Sequence, residues 1–252
     1  MIRLALALVL LMTAPLLAEE IVADMSQDRI SISTNFDGSE ILIFGAVKRD
    51  QPEPTGQRLA IIVTVAGPRE DVTIRRKEKR LGIWVNTDSI EAIGVPSFYA
   101  VSSSVPLEQA LLPEEDEEWS ITTRRALTAP GMAMISDSDP HFLDALIRVH
   151  TASGIYGTSE ESVNVRDSTL FSTEIALPAD LTEGNYNTRI FLTRDGKVVD
   201  SYGTSIYVQK VGLERWIYAL AHEQPLIYGL LSLFIAIAAG WGASAVFRIF
   251  KR

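Results

Sequence analysis

The sequence predicts a mainly β protein, with an immunoglobulin-like antiparallel β-sandwich ectodomain and a single C-terminal transmembrane helix. Three features of the 252-residue chain support this prediction. Short segments with period-two alternation or β-branched residues follow one another between turn signals, as they do in sandwiches. Residues 226–247 form a stretch of 22 residues without a charged side chain. The chain contains no cysteine, so an exported part has to be stabilised by an ordinary core and not by disulfides.

The N-terminal residues 1–18 have the organisation of a secretory signal peptide. They contain one basic residue, Arg3, then an unbroken apolar stretch, Pro15 and finally the small residue Ala18. This pattern predicts export and cleavage after Ala18. The alternative is an uncleaved N-terminal anchor, because Leu16 is an imperfect residue for the third position before the cut.

The apolar stretch 226–247 has the length of a membrane span. At about 1.5 Å per residue such a helix measures about 33 Å, which matches a hydrocarbon core of about 30 Å. Basic residues follow it at 248, 251 and 252, whereas the nearest acidic residue before it is Glu223. Because basic residues favour the cytoplasmic side, we expect a type I protein with a five-residue cytoplasmic tail, 248–252.

The predicted exported part is strongly acidic. All 32 acidic residues and 19 of the 23 basic residues lie between Glu19 and Glu223, which gives this part a net charge of −13. A surface of this charge repels nucleic acid and anionic headgroups. Nucleic-acid binding is therefore excluded from the candidate functions.

Residues 19–105 are predicted to form a first β-sandwich unit. The third predicted strand of this unit follows the turn Asp37-Gly38 and is apolar at nearly every position from Ile41 to Val47. This composition predicts a central strand that is covered on both faces, and not the rim of a working site. The strand candidates in the unit are EIVADMS, RISIST, EILIFGAV, LAIIVTVAG, DVTIRR and LGIWVN.

Residues 106–154 are predicted to be an acidic linker followed by one short helix. The acidic run Glu114 to Glu118 lacks the alternating ligands and the glycine of a calcium loop, so a solvated linker is expected. A cap at Asp139 and a proline after it start the helix, and Gly154 ends it. The predicted buried face of this helix consists of Phe142, Leu146 and Val149.

Residues 155–210 are predicted to form a second sandwich-like unit, and the sequence leaves open whether the two units share one core. Leu181, Gly184 and Tyr186 match the tyrosine corner of immunoglobulin-like sandwiches, in which the hydroxyl binds the chain just upstream. Asp195-Gly196 is expected to form a two-residue hairpin turn. A juxtamembrane amphipathic helix is predicted at 211–225, with apolar residues at helical spacing at Leu213, Trp216, Ile217 and Leu220.

The sequence offers few candidates for catalysis. It contains no Gly-x-Ser-x-Gly elbow, Walker loop or dinucleotide fingerprint, so we expect neither enzyme activity nor a cofactor. Asp137, Asp139 and His141 could form a metal-dependent site. Asp139 is already explained as a helix cap, however, and no metal is predicted.

The basic segment RRKEKR at residues 75–80 is expected at a hairpin tip on the acidic ectodomain. Arg75, Arg76 and Arg80 are the candidate residues for binding an anion or docking a partner there. The alternative is a tip that carries solvated charges, which hairpins commonly do.

Small residues recur at every fourth position of the predicted span, at Ala236, Gly240 and Ser244. Small side chains on one helix face let a second helix approach closely, so this stripe is a candidate for helix packing in the membrane. Glycine and alanine are also common in spans that pack against nothing, which is the alternative.

Several segments together resemble the alphaproteobacterial putative transmembrane protein family, from about Ile21 to the C-terminus. These segments are FDGSEILIFGAVKR, VTIRRKEKRLGIWVN, VPSFYAVSSSVPL, FLDALIRVHTASGIY and LFSTEIALPADLTEGNYNTRIFL. The resemblance implies a bacterial inner (plasma) membrane protein with a β-rich periplasmic ectodomain and a cytoplasmic tail. Members of the family are often encoded near sulfite-exporter-like permeases, which implies an accessory subunit. The family has no established function and supplies no catalytic residues.

Three functional hypotheses follow. The first is a non-enzymatic interaction module or accessory subunit of a membrane transporter, anchored in the bilayer, with a polytopic permease as the partner. The second is a periplasmic protein that binds an anion or small solute with Arg75, Arg76 and Arg80 near Trp84. The third is a hydrolase or metal-dependent enzyme that uses Asp137, Asp139 and His141 together with further acids from elsewhere in the chain.

Overall fold

The computed structural model describes residues 19–33, 36–49, 56–129, 140–211 and 213–250. The predicted signal peptide, its cleavage position and the last two residues of the tail lie outside these ranges. The chain divides into two compact units. One contains the residues up to Ile30 together with Asp37–Val208, and the other contains Ser31–Phe36 and the chain from Gln209 onward.

The described residues form twelve strands and six helices. The strands are β1 (Glu19–Met25), β2 (Arg29–Ile32), β3 (Ser39–Arg49), β4 (Leu59–Ala66), β5 (Arg69–Arg80), β6 (Ile83–Pro96), β7 (Tyr99–Ser103), β8 (Tyr156–Ser159), β9 (Asn164–Arg166), β10 (Leu170–Leu177), β11 (Gly184–Arg194) and β12 (Lys197–Lys210). The helices are α1 (Leu107–Ala110), α2 (Pro113–Trp119), α3 (Thr123–Thr128), α4 (Pro140–Ala152), α5 (Leu213–Glu223) and α6 (Pro225–Phe250). The mainly β fold class is therefore confirmed.

Strands from both predicted β units lie in the same sheets, so these sheets join the two units, for which the sequence left a shared core open. Sheet A has the order β1-β3-β10-β9 and sheet B the order β2-β12-β11-β4-β7-β8, while β5 and β6 pair only with each other. The pairs β3–β10 and β4–β11 each join an early strand to a late one. The pairs β1–β3, β3–β10, β9–β10, β11–β12, β4–β11 and β4–β7 are antiparallel, whereas β7–β8 is parallel and aligns Tyr99 with Tyr156.

The central strands of sheet B, β4 and β11, are buried on both faces. On one face, Ile62 and Phe191 belong to a core that also contains residues of the helices, such as Leu127 and Leu146. On the other face, Val63 and Ile190 are equally inaccessible. Since side chains alternate along a strand, sheet B separates two cores, one shared with the helices and one shared with sheet A.

Sheet A is covered on one face only, which corrects the prediction that β3 is covered on both. Ile41 and Ile43 are fully buried, whereas Leu42 and Phe44 are 37% and 41% exposed. The apolar character of β3 therefore has two different causes. One face fills the core, and the other presents apolar side chains to solvent.

The segment after Pro106 forms three short helices, α1 to α3, and the acidic run expected to be a solvated linker lies in α2. Asp116 fixes the turn between α2 and α3, because its carboxylate accepts hydrogen bonds from the backbone N–H groups of Ile121 and Thr122 at 3.0 and 2.8 Å. The acidic run thus lies mostly within α2, near the helix N-terminus that favours negative charge. In α4 the buried side chains are Phe142, Leu143 and Leu146, whereas Val149 is exposed.

Two predicted turns are present. The hydroxyl of Tyr186 donates a hydrogen bond to the carbonyl oxygen of Thr182 at 3.0 Å, as the tyrosine-corner motif requires. Asp195 and Gly196 connect β11 to β12 with φ values of 47° and 82°, the left-handed pair of a tight hairpin turn.

The second of the two compact units, which contains the chain from Gln209 onward, includes the predicted membrane span. The window Pro225–Ser244 of α6 has a mean hydropathy of 1.9, and none of it is buried. Within the described part of the chain it is the one helix long and apolar enough to cross a membrane. The amphipathic helix expected at 211–225 corresponds to α5.

Gly45 in β3 tests the packing between β1, β3 and β10. A Cβ atom there would lie 2.5 Å from the carbonyl oxygen of Val22 and 2.6 Å from the ring of Phe171. We expect Gly45→Ala to lower the free energy of unfolding by about 1–3 kcal/mol, because the sheet has no room for the methyl group. The measurement is denaturant unfolding of the detergent-extracted chain.

Gly203→Ala is the matched control for this prediction, since nothing lies within 4 Å of a Cβ atom at Gly203 in β12. We expect that variant to be unchanged or slightly more stable, by up to about 1 kcal/mol. Equal stability of the two variants would contradict the packing described at Gly45.

Candidate functional site

The most prominent feature outside the two sheets is a long β-hairpin, here called the arm, made of β5 and β6. Its strands pair from Arg69↔Pro96 to Arg80↔Ile83. Leu81 and Gly82 form the turn, with φ values of 51° and 88°. Positive φ at both positions is typical of the tight turns that match strand twist.

The base of the arm is fixed to the helix-side core. Ala92 and Val95 are fully buried members of that core, and Val72 and Ile74 pack against it. The guanidinium carbon of Arg76 lies 5.2 Å from the ring centre of Phe142 in α4, a cation–π contact. These contacts hold the arm up to about Arg76.

Beyond Arg76, no described residue outside the arm covers it in this way. All residues from Arg75 to Trp84, here called the arm tip, are exposed. Leu81 is fully exposed, and Ile83 and Trp84 are 65% and 68% exposed. At about 3.3 Å per residue, the turn lies roughly 20 Å beyond Ile74. Large apolar side chains in such a position are rarely left in water without a function.

The arm tip is basic, whereas the chain as a whole is acidic. It carries five basic residues and one acid, Glu78, whereas the chain from Glu19 to Glu223 has a net charge of −13. Arg80 lies 3.4 Å from Glu78, an exposed ion pair of little energetic weight. The basic residues of the tip thus outnumber its acidic residues by four.

The structure does not bring Arg75, Arg76 and Arg80 together. Arg75 and Arg76 are consecutive on β5 and so project from opposite faces of the ribbon. Arg80 lies five residues further, about 17 Å along the strand. Trp84 is aligned with Lys79. The three arginines thus remain candidates for docking along a ribbon and not for enclosing a small solute.

A second exposed surface, which the sequence interpretation missed, lies on the open face of sheet A. Val22, Leu42, Phe44 and Leu170 are exposed on it. A groove of about 610 Å³ is lined by three of them, Val22, Phe44 and Leu170. In β3 the exposed apolar residues alternate with buried isoleucines, which is the sequence pattern of a strand with one open face. The pattern is hard to recognise because the residues of both faces are apolar.

Glu19, Arg49 and Arg194 form a buried ion triad between the sheets. The carboxylate of Glu19 accepts two hydrogen bonds from Arg194, both at 2.7 Å, and one from Arg49 at 2.6 Å. Their side chains are only 5–12% exposed. The bonds from Arg194 and Arg49 outweigh burial and lower the pKa of Glu19. The triad joins β1 and β3 of sheet A to β11 of sheet B.

The residues suggested for a metal-dependent enzyme fall partly outside the described residues. Asp137 and Asp139 are among those not described, and His141 lies exposed at the start of α4. Within the described ranges, no group of three or more histidine and acidic side chains is placed to hold a metal ion. His150 packs edge-on against Tyr156 at 4.6 Å, and burial lowers its pKa.

The small residues of the span, Ala236, Gly240 and Ser244, lie on one face of α6 because they are spaced by four residues. No atom lies within 4 Å of a Cβ built at Gly240. The face is therefore sterically open to a second helix.

A known protein family matches most of the chain. The sequence profile of a family described as "Putative transmembrane protein (Alph_Pro_TM)" matches residues 20–249. A comparison with curated proteins finds no match. The match covers both compact units, including the arm and the apolar helix.

The ion triad predicts an acid-sensitive stability. Because the pKa of Glu19 is lowered, its ionised carboxylate stabilises the fold fully at pH values above the ordinary pKa of 4.5. This stabilisation is lost as the pH falls below 4.5 and through the lowered pKa. Glu19→Gln leaves two buried arginines without a carboxylate, so we expect it to cost about 3–5 kcal/mol at pH 7. The loss of stability between pH 5 and about pH 3 should then be smaller than in the wild type. Urea unfolding at several pH values measures both effects.

Glu20→Gln is the control, because Glu20 pairs with Lys48 at the surface, where both side chains are 63% exposed. Little change is expected from it. A Glu19→Gln variant with wild-type stability and an unaltered pH dependence would refute the role assigned to the triad.

Proposed function

Because the chain belongs to the family described as "Putative transmembrane protein (Alph_Pro_TM)" and ends in an apolar helix, we propose that it is a membrane-anchored, non-enzymatic interaction module. The module docks a membrane-protein partner through the arm tip. The partner is a polytopic permease, as the family resemblance implies, which makes this chain an accessory subunit.

The exposure of Leu81, Ile83 and Trp84 is the observation that carries the proposal. Burying side chains of this size contributes about 1.5–3 kcal/mol each. Tryptophan and arginine are also the residues most enriched among those that dominate binding energies. The arm base supports the tip on a fixed ribbon, so little conformational freedom remains to be lost on docking.

The charge of the tip indicates the chemistry of the partner surface. A net charge of +4 beside three apolar side chains complements an apolar depression with an acidic rim. The anchor α6 restricts the partner to the same membrane and its adjacent compartments. Association through such a surface should weaken as the salt concentration rises.

The orientation of the anchor is part of the proposal. The basic residues that follow the apolar stretch support a cytoplasmic tail, and the ectodomain then lies in the periplasm. The non-enzymatic character is supported by the sequence, which lacks a nucleophile elbow, a Walker loop and any cysteine.

Photo-crosslinking tests the docking role of the arm tip. With a photoreactive residue at position 84 or 81, irradiation of native membranes should link the chain to one polytopic membrane protein, identified by mass spectrometry. A photoreactive residue in place of Val199, which is 47% exposed on β12, is the matched control and should give no such adduct. Adducts from the tip with lipid alone, or with a second copy alone, would contradict the proposal.

The absence of cysteine allows a clean test of orientation. In Val199→Cys, a membrane-impermeant maleimide should label the chain on intact spheroplasts, because β12 belongs to the ectodomain. A cysteine added after Arg252 should be labelled only after the membrane is permeabilised. The reverse pattern would show the opposite orientation.

A further inference from the structure

A pocket of about 500 Å³ lies where the end of β4 meets the base of the arm and the ends of α2 and α3. It is separate from the exposed arm tip. Its polar lining consists of Arg69, Arg189, Asn187, Tyr99 and Ser120, and its apolar wall of small residues, Ala66, Gly67, Pro68, Pro96, Ala126 and Ala129. We call it the arginine pocket, because two arginines are the charged residues among the described part of its lining.

Arg189 is held rigidly in this pocket. Its guanidinium donates hydrogen bonds to the carbonyl oxygens of Trp119 and Ser120 at 2.9 and 3.0 Å, and it approaches the hydroxyl of Tyr99 at 3.5 Å. The guanidinium carbon lies 5.1 Å from the ring centre of Phe191. These partners are carbonyls, a hydroxyl and a ring, so no carboxylate is bonded to this half-buried cation.

Arg69, at the start of β5, supplies the second positive charge. It is exposed, is aligned with Pro96, and forms no ion pair or side-chain hydrogen bond with the residues that the structure describes. Arg69 lines the pocket with donors available for a ligand, whereas Arg189 has part of its donor set bonded to the end of α2.

The charge of Asp116 acts on Tyr99, a residue of the pocket lining. The hydrogen bonds of Asp116 go to the backbone of Ile121 and to both the backbone and the hydroxyl of Thr122, and not to the arginines of the pocket. Among the residues that the structure describes, no acid lines the pocket itself. A site lined by two guanidinium groups is unusual in an ectodomain with a net charge of −13, and it favours an anion.

We infer that the arginine pocket binds a small organic oxyanion, with a carboxylate or similar head between Arg69 and Arg189 and a short apolar group against the alanine and proline wall. Guanidinium groups suit such a head because their planar donors can bind two oxygens at once. Asn187, on the pocket rim, offers an amide for a further hydrogen bond. The wall of small side chains leaves room for the apolar group.

Arg189 alone could serve a purely structural role, because cations at helix C-termini stabilise the last carbonyls. Substitution of Arg69 distinguishes anion binding from helix capping, because Arg69 takes no part in that cap. A site that binds an anion needs Arg69, whereas a helix cap does not.

Thermal unfolding of the full chain in detergent tests the inference, with benzoate, acetate and inorganic phosphate as probes. At about 100 times its Kd, benzoate should raise Tm by roughly 5 °C or more, whereas benzyl alcohol, its neutral analogue, should not. Arg69→Gln should abolish the shift and leave Tm without probe nearly unchanged. Arg148→Gln, which removes an exposed arginine of α4, is the control and should keep the shift.

Three results would overturn the inference. If benzoate still raises Tm in Arg69→Gln, the anion binds elsewhere. If none of the three anions raises Tm in a saturable way, the proposed site does not exist. A shift with phosphate alone would exclude the organic ligand. A shift with acetate and benzoate that is lost only in the arginine-pocket variant supports it.

Discussion

The double-sided burial of β4 and β11 is the constraint on which the rest of the ectodomain depends. Every residue of β4 from Ala60 to Val65 is buried, so the strand requires a layer on each side. Sheet A provides one layer, and the helices with the arm base provide the other. Because β4 comes early in the chain and β11 late, neither half of the ectodomain can form this core alone. The Glu19 triad adds a polar connection between the sheets at the same central strand, through Arg194.

This arrangement leaves functional features at the margins of the core. The arm continues outward from buried residues, Ala92 and Val95, until no further layer covers it, and the exposed tip begins there. The arginine pocket lies where the helix-side core ends, so Arg189 is held by backbone carbonyls while its charge still faces a cavity. Both features use a rigid scaffold to present side chains that contribute little to the core, which is common for binding sites.

Local signals predicted local structure well. The tyrosine corner at Tyr186, the Asp195-Gly196 turn and the apolar helix could be predicted because each depends on neighbours in the sequence. Pairing between distant strands could not, since alternation does not identify the partner of β3 or β4. The open face of sheet A was missed because apolar residues occupy both faces of β3. Arg69 and Arg189 are 120 positions apart, and only the fold brings them to one pocket.

The central claim is that the arm tip serves docking and contributes nothing to the core. Its most direct test replaces residues 77–86, which pair across the tip, with Asn-Gly, so that a tight turn closes a shortened arm. We predict that the shortened chain unfolds at the wild-type temperature, and that the polytopic permease proposed as the partner copurifies from native membranes with the wild type but not with the shortened chain. A destabilised chain, or a partner retained in wild-type amount, would contradict the account.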